Sequence, residues 1–449
     1  MKNFGSTSGL TVLAEDQSIP ANGMVAYVTS SYNSGYQNGD IKLATLSDTD
    51  DTDVTGSELV TNGTFDTDIS GWVGSAASYD SANQRIKVTG GGSNLRTYQL
   101  ITNLVVGQTY VLNMTVTGPA NAYISTNTSS SGFIAEIGYS GSYSNTPKSV
   151  TFTATATSLY VVLYVIGTFS YFDNVSVRLA EEDRSVNGNG LQVFGTVTKN
   201  PVATGADLVA YSGFSGSNWL NLPYQSWMDI GTGDICFMGW IKHSQTDATR
   251  VFMSVGNETV DNNRMAMYSM SDGTVRFILR QNSLEDVIAS SSGAISDGAW
   301  HHIVGLRSNG TGQLYVDGKT SGSSVSSTKS IVQTGTSLKI GVDYNHSGGS
   351  SNAIYASMAL WRVSATAPSP EQIAKIYNDE KVLFQENAQA TLYGTSDAVT
   401  ALAHDDATGI LSVGTSAGRS DFQGLRRVNN TTTAVWVAIS ASNGMIVEE

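Results

Sequence analysis

The sequence predicts an all-β chain: two β-sandwiches in tandem, extra β segments at both ends, and one short helix near 369–381. Composition is the first reason. Charged residues are only 14% of the chain while glycine reaches 46, a polar, turn-rich make-up that suits strands better than helical bundles. Periodicity is the second. In "TYVLNMTV", Tyr110, Leu112, Met114 and Val116 share one face and Asn113 and Thr115 the other. The third is punctuation, because Gly, Asn and Asp turns separate such runs at the intervals expected of sandwiches. At 449 residues the chain is also too long for a single core.

Residues 1–56 hold the strand-like "MVAYVTSSY" and end in the acidic run "SDTDDTD"; they are expected to form an N-terminal β segment that anchors or pairs subunits. Residues 57–182 read as the first sandwich. Its segment "SLYVVLYVIG" is apolar on both faces, as expected of a central strand covered on each side. A linker, "RSVNGNG", leads to the second sandwich over 190–383, with the strands "ICFMGWIKHS", "VRFILRQN" and "GQLYVDGK". Near its end Ser369 is a good N-cap, Pro370 fits the first helical position, Gln372 completes a capping box, and Ile373, Ile376 and Tyr377 form an apolar stripe. Residues 384–449 return to strands resembling one β-propeller blade. One blade cannot bury its own faces, so it is expected to pack on residues 1–56 or on a neighbouring subunit.

The net charge of -14 leaves no electrostatic footprint for nucleic acid or anionic lipid. No run approaches ~18 uninterrupted apolar residues, and the N-terminal stretch has no apolar core of signal-peptide length, so the expectation is a protein made in a cytoplasm without membrane insertion. Cys236 sits in an apolar run and reads as a small core residue. The adjacent histidines of "DGAWHHIVGLRS" fall on opposite faces of a strand: Trp300, His302, Val304 and Leu306 on one, His301, Ile303 and Arg307 on the other. They cannot jointly chelate one ion. The loop "DTDDTDVTG" starts like a calcium loop, but its twelfth position is Asn62 where a bidentate Glu is needed. Strands such as "IVGLRS" and "SLYVVLYVIG" carry no Asp or Glu, which argues against the paired carboxylates of a glycoside hydrolase, and no nucleophile elbow or phosphate loop is present. The chain is expected not to be an enzyme.

The order W-H-H-I-V, turn, L-Y-V-D-G, together with "SNWLNLP", "ICFMGWIK" and "MALWRVSATAPSPEQIAKIYN", resembles the laminin G-like and pentraxin-like domains of the concanavalin A-like jelly-roll class. That resemblance implies a glycan- or protein-binding module. In the first sandwich, "ELVTNGTFDTDISGW" and "YFDNVSVRLAE" are similar to the two ends of family 4/9-type carbohydrate-binding modules, also jelly rolls. The family often bridges its terminal strands with a structural calcium, which this resemblance assigns to Asp66 and Asp173 with Asn62 in support. Trp72, Tyr79, Tyr98, Tyr123 and Tyr139 are candidate platforms for sugar rings, whose apolar C–H faces sit well on aromatic planes. The stretch from "SSYNSGYQNGD" to "NGTFD" resembles segments of bacteriophage tail-fibre and virion proteins. The resulting expectation is a homo-oligomeric tail fibre or surface appendage that contacts other virion proteins and a host-surface glycan. It would assemble in the host cytoplasm and be exposed on the particle. A ligand-free capsid-decoration or filament subunit and a polysaccharide hydrolase are the alternatives.

Overall fold

The computed structural model describes residues 11–14, 25–28, 33–34, 40–45, 49–74, 76–90, 96–128, 132–138, 143–165, 167–185, 187–256, 263–281, 284–289, 294–333, 336–343, 352–396, 399–435 and 446–448. It is all-β with one α-helix among the described residues.

The first sandwich packs a five-stranded antiparallel sheet on a four-stranded one. The former runs Ala77–Asp80, Arg85–Thr89, Phe169–Glu181, Thr109–Gly118, Tyr143–Thr153. The latter runs Phe133–Ile137, Ala120–Ser125, Ser158–Val165, Arg96–Thr102. Alternation settles which side chains meet between the sheets. Tyr110, Leu112, Met114 and Val116 point inward from one sheet and Leu159, Val161, Leu163 and Val165 from the other, all buried in one cluster. Each such aliphatic side chain contributes about 1.5–3 kcal/mol by leaving water. The central strand Ser158–Val165 departs from the expectation of a layer on both sides. Its outward residues Tyr160, Val162 and Tyr164 meet neighbouring side chains of their own sheet, with Val162 directly opposite Tyr98 and Tyr123.

The second sandwich has one sheet ordered Leu191–Pro201, Val209–Ser212, Ser357–Ser364, Ile235–Lys242, Trp300–Ser308, Thr311–Val316, Lys319–Ser326. The start of Leu191–Pro201 also opens the facing sheet, followed by Trp219–Leu222, Leu338–Ile340, Arg250–Val255, Arg264–Ser269, Val275–Gln281, Leu284–Ala289. Phe237, Phe252, Phe277, Ile303 and Trp361 fill the space between. Packing there is tight enough to demand glycine: a Cβ on Gly239 would stand 2.6 Å from the Trp361 ring. Two strands from the first 56 residues join this sandwich. Ile41–Thr45 pairs with Ser357–Ser364, and Val54–Gly56 with Gly195–Val197 of the strand Leu191–Pro201. The first sandwich is therefore threaded between two strands of the second.

The helix Pro370–Glu380 covers the outer face of the second sandwich. Its capping box closes both ways, with the Gln372 amide donating to the Ser369 hydroxyl and the Ser369 amide to the Gln372 side chain. Ile373 and Ile376 are buried against Trp240, Val304 and Leu306. Glu380, fully buried, receives the Arg362 guanidinium at 2.7 and 3.0 Å and the Trp240 indole at 2.7 Å. The tail forms an antiparallel meander, Val399–Asp405, Ile410–Thr415, Gly418–Gln423, Arg426–Thr431, with Ile446–Glu448 at its edge. Among the described residues it packs on the second sandwich: Ala388, Ala390 and Leu425 enter the outer apolar cluster there. The Asp207 carboxylate accepts hydrogen bonds from the Ala390 and Thr391 amides and the Thr391 hydroxyl at 2.8–3.2 Å.

Candidate functional site

The outward face of the four-stranded sheet in the first sandwich collects aromatic side chains. Register puts Tyr160 opposite Leu100 and Ser125, Tyr164 opposite Arg96 and Asn121, and Tyr123 opposite Glu136. Tyr98 and Tyr160 meet edge to face at 5.7 Å, Tyr123 and Phe133 at 4.2 Å, and the Arg96 guanidinium lies 5.5 Å from the Tyr164 ring. Leu100 and Phe133 remain 48% and 44% exposed at its margins. Polar atoms sit between the rings. The Asn121 amide donates to Glu136 at 3.0 Å and Arg96 to the Thr128 carbonyl at 3.2 Å. Yet the Tyr123 hydroxyl, Asn121 Oδ1 and Arg96 Nε are shielded from water and have no partner among the described residues. Such orphans are uncommon in folded proteins and are completed by water or a ligand. Burial also pushes the Tyr123 phenol above its ordinary range.

Of the five aromatic candidates, Tyr98 and Tyr123 lie on this face. Trp72 does not. It is 7% exposed, its indole donates to the Asn62 carbonyl at 3.2 Å, and its ring packs on Phe65, so it has no free plane for a sugar. Tyr79 belongs to the opposite sheet, half-buried, with its hydroxyl on the Asp66 carbonyl at 3.0 Å. Tyr123, at 2% exposure and with its hydroxyl shielded, offers no open ring. Tyr139 lies outside the described residues. Sequence reasoning missed Tyr160, Tyr164 and Phe133. The signal existed in "SLYVVLYV", where inward Leu159, Val161 and Leu163 force both tyrosines to the other side.

The three calcium candidates cluster loosely. Asp173 is half-buried and its carboxyl is raised, first by burial and further by the charge of Asp66. Asp66 also accepts the Thr64 hydroxyl at 3.0 Å. Asn62, at a left-handed φ of 51°, spends its amide nitrogen on Asp68 and Ser70, holding the loop shut. Among the described residues no three His, Cys, Asp or Glu side chains converge as a metal set. A cation here would rest on two carboxylates plus main-chain oxygens.

The paired histidines face apart. His301 lies between Asp317 at 2.8 Å and Asp297 at 3.1 Å, which raises its pKa. His302 is fully buried beside Trp240 with both ring nitrogens unpartnered among the described residues, and burial drives its pKa well below the usual value. Cys236 is likewise enclosed, its thiol pushed up to about 12 by burial. A cleft of about 1000 Å³ between the two sandwiches carries Glu58, Asp53 and Asp183. These acids hold the junction together: Glu58 accepts from Ser176 and Val177, Asp53 from the Lys199 amide, and Asp183 from Ser185 and Asn189.

Residues 214–374 match the family model of the concanavalin A-like lectin/glucanases superfamily. The second sandwich is thus a laminin G-like jelly roll of the concanavalin A-like class. No curated protein sequence matches the chain. Among solved structures, a native heptameric SAP-like pentraxin from Limulus polyphemus is 19% identical, over 33% of this chain and 71% of that one, with a TM-score of 0.28. The CBM40 module of the Ruminococcus gnavus IT-sialidase is 16% identical, over 33% and 84%, with a TM-score of 0.29. Domain 4 of AbnA, an extracellular arabinanase from Geobacillus stearothermophilus, is 17% identical, over 41% and 82%, with a TM-score of 0.32.

Proposed function

We propose that this chain is a non-catalytic saccharide-binding protein whose first sandwich takes its ligand on the outward face of the four-stranded sheet. The observation that carries the reading is the combination found there: Tyr98, Tyr160, Tyr164 and Phe133 beside three shielded polar atoms with no partner among the described residues. Rings supply planes for sugar C–H faces, and small side-chain shifts that open the orphaned hydroxyl, carbonyl and guanidinium nitrogen would supply hydrogen bonds that fix orientation. No bond in the ligand is made or broken.

A single shallow face of this kind binds weakly, so the proposal extends to repetition. The chain would act as a homo-oligomeric tail-fibre or surface-appendage subunit of a bacteriophage particle, gripping a host-surface glycan through many copies. Calcium bridging Asp66 and Asp173 would relieve their mutual repulsion and pin the ends of the first sandwich together. A glycan array tests the reading. Wild-type chain should bind a defined set of saccharides and Tyr160→Ala should lose that set; a blank array for the wild type would leave only a spacer role for the sandwiches.

A further inference from the structure

A second groove lies at one end of the second sandwich, remote in sequence from the aromatic face just described. It has a volume of about 430 Å³, and its lining includes Asn200, Ser212, Lys242, His243, Trp300 and Tyr355. The fold builds it deliberately from strand ends. Register places Lys242 directly opposite Trp300 on one side and Ser357 on the other, so these three side chains stand in a row on the outer face of the sheet.

Its chemistry differs from that of the rest of the molecule. The chain carries a net charge of -14, and the large cleft between the sandwiches is rich in acids, yet none of the groove's lining residues is Asp or Glu. The lining cation, Lys242, is exposed. The Arg250 guanidinium lies 4.9 Å from the Tyr355 ring, but its charge is paired with Asp247, which leaves Lys242 as the cation facing the groove. The neighbouring Asp297 lies outside the lining and has one carboxylate oxygen bonded by the Ala299 amide and His301. Tyr355 is 54% exposed, an open aromatic plane at the mouth. The Trp300 indole is fixed in place by donating to the Val202 carbonyl at 2.9 Å. His243, 4% exposed, lines the wall, and its Nδ1 has no partner among the described residues. Hydroxyls of Ser212 and Ser357 and the carboxamide of Asn200 complete the polar inventory.

From this we infer that the groove is a separate binding site for a short carboxylated saccharide, its sugar ring against Tyr355, with Trp300 alongside, and its carboxylate at Lys242. An aromatic plane serves the C–H face of a sugar, an ammonium serves the acid, and the surrounding hydroxyls and amide serve the ring hydroxyls. Length is limited by the rest of the surface. A long polyanion would meet the net negative charge beyond the groove, whereas an acidic residue or short oligomer is shielded from it by salt within about 8 Å.

The test uses the full chain and two probes, trigalacturonate and its methyl-esterified, uncharged form, titrated by calorimetry. Wild type should bind trigalacturonate at least about ten-fold more tightly than the ester. Lys242→Gln, a change at an exposed position, should erase that preference, and Tyr355→Ala should weaken both probes. Tyr160→Ala, which disables the first-sandwich face, should leave trigalacturonate binding unchanged. No trigalacturonate binding by the wild type, equal affinity for acid and ester, or retention of the preference in Lys242→Gln would overturn the inference. So would loss of trigalacturonate binding in Tyr160→Ala, which would put the ligand on the first sandwich. Conversely, a glycan array blank for the first-sandwich face with trigalacturonate binding intact would defeat only the earlier reading.

Discussion

Replacing His302 by leucine should flatten the acid side of the stability profile of the second sandwich. The imidazole is fully buried, and neither ring nitrogen has a partner among the described residues. Burial comes first among the causes that hold it neutral, with the Arg362 charge adding to it. The unfolded chain, by contrast, takes up a proton below about pH 6.5. A group whose pKa is depressed by folding gives stability that is present above the unfolded value and lost as pH falls below it, because the unfolded state binds more protons there. The slope is at most 1.36 kcal/mol per pH unit, so lowering the pH from 7.5 to 5.0 should cost about 2 kcal/mol through this one residue. Leucine cannot titrate. Urea denaturation followed by tryptophan fluorescence suits the measurement, since of the seven tryptophans all but Trp72 lie at or beyond Trp219. The quantity to compare is the loss of stability between the two pH values in wild type minus that in His302→Leu, which cancels the other titrating groups. An identical loss in both proteins would refute the reasoning. His301→Gln is a control of opposite sign: the Asp317 partner raises its pKa, so its contribution is full below about pH 6.5 and fades as pH rises through the folded value.

Gly239→Ala should destabilise the second sandwich by about 1–3 kcal/mol in the same urea assay, because the new methyl would fall 2.6 Å from the Trp361 ring in a packed core. Asp173→Asn should raise the melting temperature in chelator by removing the repulsion from Asp66, and should also abolish any calcium response; a wild type at 100 times its dissociation constant would gain about 2.7 kcal/mol from the ion. Identical wild-type melts with calcium and with chelator would contradict the bridging role. Asp207→Ala strands two amides and a hydroxyl where the tail meets the second sandwich, at a cost of about 1–3 kcal/mol. Limited proteolysis should then cut between 384 and 399 faster than in wild type, while the sandwich core resists as before.

Local signals made some of this legible in the sequence. The helix follows from Ser369, Pro370 and Gln372, whose capping chemistry needs no knowledge of the rest of the chain. The inward row of Tyr110, Leu112, Met114 and Val116 follows from alternation alone. Alternation likewise separates His301 from His302. Long-range pairing left no such trace: Trp361 lies opposite Thr45, and Gly195 opposite Gly56, across an entire intervening sandwich. The placement of Trp72 was not legible, because a turn tryptophan looks the same in sequence whether its ring swings out or folds under the loop, and here its indole donates to the Asn62 carbonyl. The proposed platform was half legible. Tyr98 was singled out, but its neighbours Tyr160 and Phe133 come from strands whose adjacency only the folded sheet reveals.

The most direct test of the central claim is equilibrium binding of array-selected saccharides to the isolated chain and to Tyr98→Ala and Tyr160→Ala. Base–aromatic stacking is sequence-tolerant in nucleic acids, but a sugar platform must be selective. Measured saccharide binding that falls at least about ten-fold in both variants, with unchanged folding, is the predicted result. Affinity that survives the loss of both rings would contradict the account.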